Sequence, residues 1–219
     1  MTENSVVIPG ELLGDRKGRK LGQGIYVDGD KVYSKFLGVP RINDIEMSVV
    51  PLAGVYLPYY GDGVIGVIES VEVSGWVVDI NSAYSAFLPL SEGVAGFVDT
   101  QRTDLTRFFD IDDVVLCVIS RVTKNKTVQV SMDDEAARKL VSGVVIKVTP
   151  SKIPRIIGKA GSMIMMIKEK TKCDIVTGQN GLVWIRGDNK AKAIEAILKI
   201  EKESHLSGLT EKIEKMLSE

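Results

Sequence analysis

Histidine, cysteine and long apolar runs are all scarce in this chain of 219 residues, which contains 1 histidine and 2 cysteines. The histidine, His205, falls in a predicted exposed helix, and neither cysteine has a base nearby in sequence. A Ser-His or Cys-His nucleophile is therefore not expected. Adjacent carboxylates such as Asp112-Asp113 could bind Mg²⁺ for a two-metal nuclease, but such pairs are more often solvated caps. We expect a protein that is not an enzyme and that uses no metal and no cofactor.

The scarcity of cysteine and of apolar runs also limits where the chain can reside. Cys117 and Cys173 are too few for a disulfide framework and have no zinc-ligand spacing, so buried thiols are expected. No apolar run approaches the roughly 18 residues that span a bilayer. Residues 1–10 show no basic stretch followed by an apolar segment. We therefore expect a cytoplasmic protein with no membrane partner.

Charge is unevenly distributed, although the formal net charge is only −1. Residues 143–186 contain 8 basic and 2 acidic residues, whereas residues 57–132 contain 5 basic and 10 acidic residues. A concentrated positive field attracts phosphate, so residues 143–186 are the better candidate for nucleic-acid binding.

Residues 1–56 show short alternating stretches separated by turn residues, which predicts a small all-β domain. The clearest element is a hairpin in which Tyr26-Val27 pairs with Lys31 to Tyr33. The connection Asp28-Gly29-Asp30 is typical of a tight turn.

Residues 57–132 contain five strand-like runs and predict a five-stranded OB-type β-barrel. The runs cover residues 64–73, 76–80, 86–90, 114–122 and 127–132. An irregular insert, residues 93–113, precedes the last two. The order of hydrophobic patterns resembles the S1-type RNA-binding domain at its opening strand (residues 63–68), its central signature (86–92) and its close (128–132).

The acidic barrel would need a local face to bind RNA. We expect Arg107, Arg121 and Lys124 to be its exposed phosphate contacts. Four aromatic side chains could stack on bases or fill the core, and the sequence leaves both readings open. They are Trp76, Tyr84, Phe87 and Phe108.

After a linker at residues 133–142, predicted as one helical turn capped by acids, the periodicity changes. Residues 143–204 alternate in the order strand, helix, helix, strand, strand, helix, which predicts an α+β domain. A further amphipathic helix is predicted within residues 205–219.

Two glycines spaced three apart, Gly158 and Gly161, stand between the first two helices of that α+β domain. This Gly-x-x-Gly segment with its preceding isoleucines resembles the signature of the KH domain, in the eukaryotic-type order βααββα. Glycines let the chain turn sharply without a Cβ, so that an RNA backbone can approach the main chain at the start of the next helix. The resemblance implies an RNA-binding group comprising Lys152, Arg155, Ile157, Gly158, Lys159, Ala160 and Gly161.

Apolar side chains beside this loop are expected to form a floor for the bases, for which we consider Ile153, Ile157 and Val176. A glycine pair alone could be a simple helix-turn-helix bend. The flanking isoleucines, the element order and the local basic excess favour RNA binding instead. A Walker-type phosphate loop does not fit, because Lys159 is followed by Ala160 rather than by Ser or Thr.

Taken together, residues 9–14 and 22–26, the S1-type barrel and the KH loop resemble the archaeal RNA-exosome cap subunit. The resemblance implies three copies on a hexameric ring of RNase PH-like subunits, with the N-terminal domain docking on the ring. It also implies that the barrel and KH domains deliver single-stranded RNA 3′ ends to phosphorolytic sites in the ring for 3′–5′ degradation or tailing. Only one basic residue, Lys159, lies within the loop, so affinity could depend on threefold avidity.

Three functional hypotheses follow. The first is the exosome cap; the second is a stand-alone RNA-binding transcription or translation factor; the third is a nuclease acting alone. Domain order and the presence of a single KH motif favour the first.

Overall fold

The computed structural model describes residues 6–96, 98–99, 103–204 and 208–218, so His205 and its predicted helix position lie outside the described residues. The chain divides into two compact units, Met1–Gly54 and Val55–Glu219. The first is all-β, whereas the second contains a β-barrel and an α+β domain.

The first unit contains two three-stranded sheets. One has the order β1-β4-β3, with strands Leu12–Asp15, Lys31–Ser34 and Ile25–Asp28, all antiparallel. The other has the order β2-β6-β5, with strands Lys20–Leu21, Glu46–Pro51 and Gly38–Ile42. The predicted hairpin is confirmed, because β3 pairs with β4 and the Tyr26 ring stacks on Tyr33 with a centroid distance of 5.3 Å.

Alternating buried positions on these strands form a small core that belongs to the first unit. Its fully or nearly buried members are Val7, Leu13, Ile25, Val32, Met47 and Val49. The inward and outward alternation follows from the two-residue period of a strand.

The second unit begins with a closed five-stranded barrel, as the sequence predicts. Its strands are β7 (Gly63–Glu72), β8 (Gly75–Asp79), β9 (Ala86–Pro89), β10 (Val114–Val122) and β11 (Val128–Ser131). The order is β11-β9-β8-β7-β10, and pairing of β10 with β11 closes it. A short helix, α1 (Leu90–Gly93), and a 3₁₀ turn, Leu105–Arg107, lie between β9 and β10.

Trp76 is a core residue of the barrel. It is completely buried, its Nε1 donates a hydrogen bond to the Phe109 carbonyl at 2.9 Å, and its ring meets the Phe109 ring edge-on. Phe108 and Tyr84 are half-buried and pack against the same core. Trp76 therefore cannot stack on an RNA base, because its ring is inside the fold and its indole N–H is already hydrogen-bonded there.

The segment predicted as a helical linker is different in the structure. Its acidic start forms a turn in which the Asp134 carboxylate accepts from the Ala136 amide at 2.9 Å. The next residues form strand β12, Arg138–Leu140, which pairs antiparallel with β10 and adds a strand to the barrel sheet. Lys139 of this strand also forms an ion pair with Asp113. Pairing with an open strand edge prevailed over the local helical signal.

The α+β domain has the predicted order βααββα. Its elements are β13 (Val144–Lys147), α2 (Ile153–Ile157), α3 (Ser162–Thr171), β14 (Asp174–Thr177), β15 (Leu182–Arg186) and α4 (Lys190–Glu203). The antiparallel sheet has the order β13-β15-β14. The helices cover one face of it through a core that includes Ile156, Ile167 and Ile197. A final helix, α5 (Leu209–Ser218), joins this core through Ile213 and Leu217.

The other face of the α+β sheet is packed on the outside of the barrel. One buried cluster combines Ile65 of β7, Leu140 of β12, and Leu182 and Trp184 of β15. The barrel and the α+β domain therefore share a core. Because interdomain cores of this kind resist hinge motion, we expect the two domains to move as one body.

Candidate nucleic-acid interface

The loop between α2 and α3 is shaped by three residues with positive φ. Gly158 has φ 77° and ψ 178°, Ala160 has φ 51° and ψ 31°, and Gly161 has φ 80° and ψ 5°. The first conformation is accessible almost only to glycine, and the other two are left-handed. The loop is thus a sharp, bulk-free bend at the start of a ten-residue helix.

Close packing adds a second reason for glycine at position 158. A Cβ there would lie 2.7 Å from Met163 Cβ and 2.8 Å from the Met163 nitrogen. A Cβ at Gly161 would meet only the Met165 sulfur, at 3.9 Å. Gly158 is therefore required by the fold itself, whereas Gly161 keeps the outer side of the bend open.

A carboxylate on α4 holds the start of the helical segment that leads into this loop. Glu201 Oε1 accepts hydrogen bonds from the Thr149 amide at 2.6 Å and from Thr149 Oγ1 at 2.7 Å. Thr149 is the residue before the 3₁₀ turn Pro150–Lys152, which runs directly into α2. The bonds to Glu201 satisfy the Thr149 amide and hydroxyl and tie this residue to α4.

Cations are exposed on both sides of Gly158. Arg155 and Lys159 are exposed, and Lys152, one helical turn earlier, is half-buried. The first turn of α3 contains no acidic residue. Two cations and the positive end of a helix therefore act together on an anion near the bend.

The apolar floor expected beside the loop is only partly available. Ile157 is half-buried and lies at the surface of the α+β core, as a base-contacting residue would. Ile153 is 2% exposed inside that core, and Val176 packs in the cluster shared with the barrel. Ile153 is therefore structural, because its side chain is covered by the fold, whereas Val176 is half-buried like Ile157 and keeps some exposed surface.

On the barrel, Arg107, Arg121 and Lys124 are all exposed. Arg121 and Lys124 lie at the end of β10 and in the turn to β11, so one hairpin carries both. Arg107 ends a 3₁₀ turn in the separate segment between β9 and β10. Asp104 is the residue before that turn, and its carboxylate accepts a hydrogen bond from the Thr106 amide at 3.1 Å. This bond holds the pKa of Asp104 below its usual value.

Two exposed tyrosines at the entrance to β7 were not considered from the sequence. Tyr59 is 49% exposed and Tyr60 is 70% exposed. Their turn is fixed, since the Asp62 amide donates to the Tyr59 carbonyl and the Gly61 amide donates to the Ile119 carbonyl. Adjacent aromatic residues between Pro58 and Gly61 were the available signal.

The same turn is held by a hydrogen-bonded pair, the buried hydroxyl of Tyr56 and the half-buried carboxylate of Asp62. Tyr56 Oη donates to Asp62 Oδ2 at 2.6 Å, and Ser82 Oγ donates to the Tyr56 carbonyl at 3.0 Å. Burial raises the pKa of Asp62, although its hydrogen bonds oppose the shift. Burial, assisted by Asp62, also raises the pKa of the Tyr56 hydroxyl.

The thiols and carboxylates of the described residues do not form a catalytic or metal-binding cluster. Cys117 and Cys173 are free and buried, as predicted, and burial raises the pKa of Cys117 to about 12. Within the part of the chain that the structure describes, no three His, Cys, Asp or Glu side chains come together as a metal site would require. The described helices include none that is long and apolar enough to cross a membrane.

Three protein-family models match consecutive parts of the chain. Residues 4–53 match the exosome RNA binding protein RRP4 N-terminal domain, residues 55–121 match the RRP4 S1 domain, and residues 143–191 match the KH domain. These are the three kinds of domain that the sequence and the fold indicate.

Individual relatives agree with the family models. A protein named exosome complex component Rrp4 from Pyrococcus abyssi is 42% identical over 217 residues, which covers 97% of this chain and 82% of the relative. One of the same name from Methanothermus fervidus is 38% identical and covers 98% of this chain and 96% of the relative. A crystal structure described as an exosome complex RNA-binding protein superposes with a TM-score of 0.69 at 32% identity, covering 75% of this chain and 96% of that one.

Proposed function

This chain belongs to the Rrp4 family of exosome complex components, and we propose that it is the RNA-binding cap subunit of an exosome, gripping single-stranded RNA on the loop from Gly158 to Gly161. Family membership favours this role over that of a stand-alone transcription or translation factor. The observation that carries the proposal is the bulk-free bend flanked by the exposed cations Arg155 and Lys159.

The mechanism of binding follows from that geometry. A ribose-phosphate chain can lie close to the main chain at Gly158 to Gly161, because the outer side of the bend has no large side chain. The helix start and the two cations neutralise the phosphates, and Ile157 offers an apolar contact to a base. KH domains hold about four nucleotides in this way. Arg107, Arg121 and Lys124 would guide the strand along the barrel, where Tyr59 and Tyr60 offer faces for stacking.

The first unit is proposed to dock on a hexameric ring of RNase PH-like subunits, with three copies of the chain per ring. Its support is the number of large apolar side chains that the small unit leaves exposed. They include Ile8, Leu12, Leu21, Leu37 and Ile45. Where such side chains lie together in one patch, they mark a protein interface. In this arrangement the chain itself is non-catalytic, works in the cytoplasm, and delivers RNA 3′ ends to phosphorolytic sites of the ring.

Replacement of Lys159-Ala160 by Asp-Asp tests the RNA grip. Two carboxylates would face the phosphates, and Asp is tolerated at the left-handed position 160. We expect single-stranded RNA affinity to fall by about tenfold or more in a fluorescence anisotropy titration. The matched control is Lys190-Ala191 replaced by Asp-Asp, an exposed pair of the same composition at the start of α4. Equal affinities of the two variants would refute the role of the loop.

Two further measurements test the assembly. Affinity purification from the source cell, followed by mass spectrometry, is expected to recover RNase PH-like subunits. Purified chain with Mg²⁺ and phosphate is expected to leave RNA intact, and addition of the ring to start degradation. RNA degradation by the purified chain alone would restore the nuclease hypothesis.

A further inference from the structure

A cavity of about 320 Å³ lies between the Gly158 loop and the first residues of α5. Arg155, Lys159 and Ser162 line one side, Thr210 the other, and Met163 and Leu209 supply apolar surface. Its volume is at the lower end of the range for small-molecule sites, roughly 300–1,000 Å³, which suits a single nucleotide rather than a longer segment.

The wall formed by α5 is not part of the six-element domain around the loop. It is nevertheless firmly attached, since Ile213 is completely buried and Leu217 is 8% exposed in the core. Polar contacts add to this attachment. Lys212 pairs with Glu203 at 3.2 Å, and Lys170 donates to Ser218 Oγ at 3.2 Å. The cavity is therefore built into the fold.

The lining has the chemistry of a nucleotide site. Arg155 and Lys159 supply two positive charges, and Ser162 and Thr210 supply hydroxyl groups that donate to phosphate oxygens. Met163 and Leu209 give the ribose or base an apolar contact. No carboxylate is among the described residues that line the cavity, so the charged groups in direct contact with an anion there are all positive.

We propose that this cavity holds one additional nucleotide of the single-stranded RNA, next to the segment gripped by the loop. The inference rests on the proposed function and extends it, because Arg155 and Lys159 belong to both places. Ser162 and Thr210 are exposed and line the same cavity as Lys159, so a strand that continues past Lys159 can contact both. The wall from α5 thus lengthens the RNA footprint of the domain.

Substitution of Thr210 by Glu tests the proposal. A carboxylate would project into the cavity, and an acid in the first turn of α5 is compatible with the helix. We expect oligouridylates of about four nucleotides to lose little affinity, because the new carboxylate lies beside Arg155 and Lys159 but outside the segment held by the loop. Oligouridylates of six to eight nucleotides should lose, by several-fold, the affinity gained from their extra length. Ala191→Glu, which adds the same charge at an exposed position on α4, is the control.

Each outcome has a distinct meaning. If Thr210→Glu and Ala191→Glu bind long oligouridylates equally, the cavity is not part of the RNA path. If the Lys159-Ala160 to Asp-Asp change also leaves every length unaffected, the proposed function itself fails. Free 5′-AMP, titrated alone, should bind only weakly; saturation at micromolar concentration without a length effect would assign the site to a free nucleotide and overturn the proposal.

A crosslinking experiment uses the unaltered protein, so its result does not depend on whether the Thr210→Glu variant folds. An oligonucleotide with 4-thiouridine placed one or two positions beyond the loop-bound segment is irradiated with the unaltered protein. Crosslinks to Met163 or to residues 208–210 are expected. Crosslinks confined to the barrel would contradict the proposed path.

Discussion

The side-chain amide of Asn180 is hydrogen-bonded to both backbone groups of Ile65. Asn180 Oδ1 accepts from the Ile65 nitrogen at 3.3 Å, and Nδ2 donates to the Ile65 oxygen at 2.7 Å. The same Nδ2 donates to the Ile80 oxygen at 2.8 Å. Asn180 lies between the last two strands of the KH domain and is completely buried, whereas Ile65 and Ile80 belong to the barrel. One amide therefore joins the two domains.

Asn180→Ala is expected to destabilise the second unit by about 2–4 kcal/mol, because three buried bonds are lost and their backbone partners stay buried. Urea unfolding followed by the fluorescence of Trp76 and Trp184 measures this. Gln179→Ala is the control. It removes an exposed side chain, while the backbone N–H of residue 179 still donates to the Gly63 oxygen. Equal stability of the two variants would show that the amide is dispensable.

The two loop glycines should differ in their response to alanine. Gly161→Ala has room for its Cβ and should cost about 1–2 kcal/mol for the left-handed conformation. Gly158→Ala should cost at least about 1 kcal/mol more, because its Cβ overlaps Met163. Thermal unfolding of both variants compares them directly. A smaller loss for Gly158→Ala would contradict the loop geometry described above.

Tyr56→Phe should cost about 1–3 kcal/mol at neutral pH, because the half-buried Asp62 carboxylate loses the hydroxyl donor of Tyr56. Burial already raises the pKa of Asp62, so folding favours its protonated form, and loss of the donor raises this pKa further. The extra cost is present where the carboxylate is ionised and is lost as the pH falls through the raised pKa. The stability difference from the unaltered protein should therefore shrink as the pH falls from neutral through the raised pKa of Asp62.

The measurement for this pair is urea unfolding at neutral and at acidic pH. Tyr60→Phe, which removes a hydroxyl from an exposed ring, should be neutral within about 0.5 kcal/mol at both. A pH-independent cost for Tyr56→Phe would mean that Asp62 does not sense its partner.

The contribution of the barrel cations to RNA binding should be visible in the salt dependence of the affinity. Each of Arg107→Ala, Arg121→Ala and Lys124→Ala should lower the slope of log affinity against log salt by about 0.7 if that side chain contacts a phosphate of single-stranded RNA. Anisotropy titrations over a range of salt concentrations measure the slope. Lys31→Ala, an exposed cation of the first unit, provides the control. An unchanged slope for all three would exclude these residues from the RNA path.

Much of the architecture was predictable from local pattern. The five barrel strands, the hairpin around Gly29 and the order of the KH elements all follow from two-residue and 3.6-residue periodicities. The loop was also readable, because two glycines at this spacing and the cations beside them are local features. The interface between barrel and KH domain could not be predicted from local pattern, since Asn180 and Ile65 are 115 residues apart.

The sequence by itself determined the conformational freedom at Gly158 and Gly161, the placement of positive charge around them, and the kinds of domain that the chain can form. These depend on neighbours a few residues away. Tertiary structure alone decided that Trp76 is core, that residues 138–140 extend the barrel sheet, that Asn180 joins two domains, and that α5 closes a cavity beside the loop. Each of these depends on which surfaces meet, and burial and hydrogen-bond satisfaction between distant segments are not encoded in any local pattern.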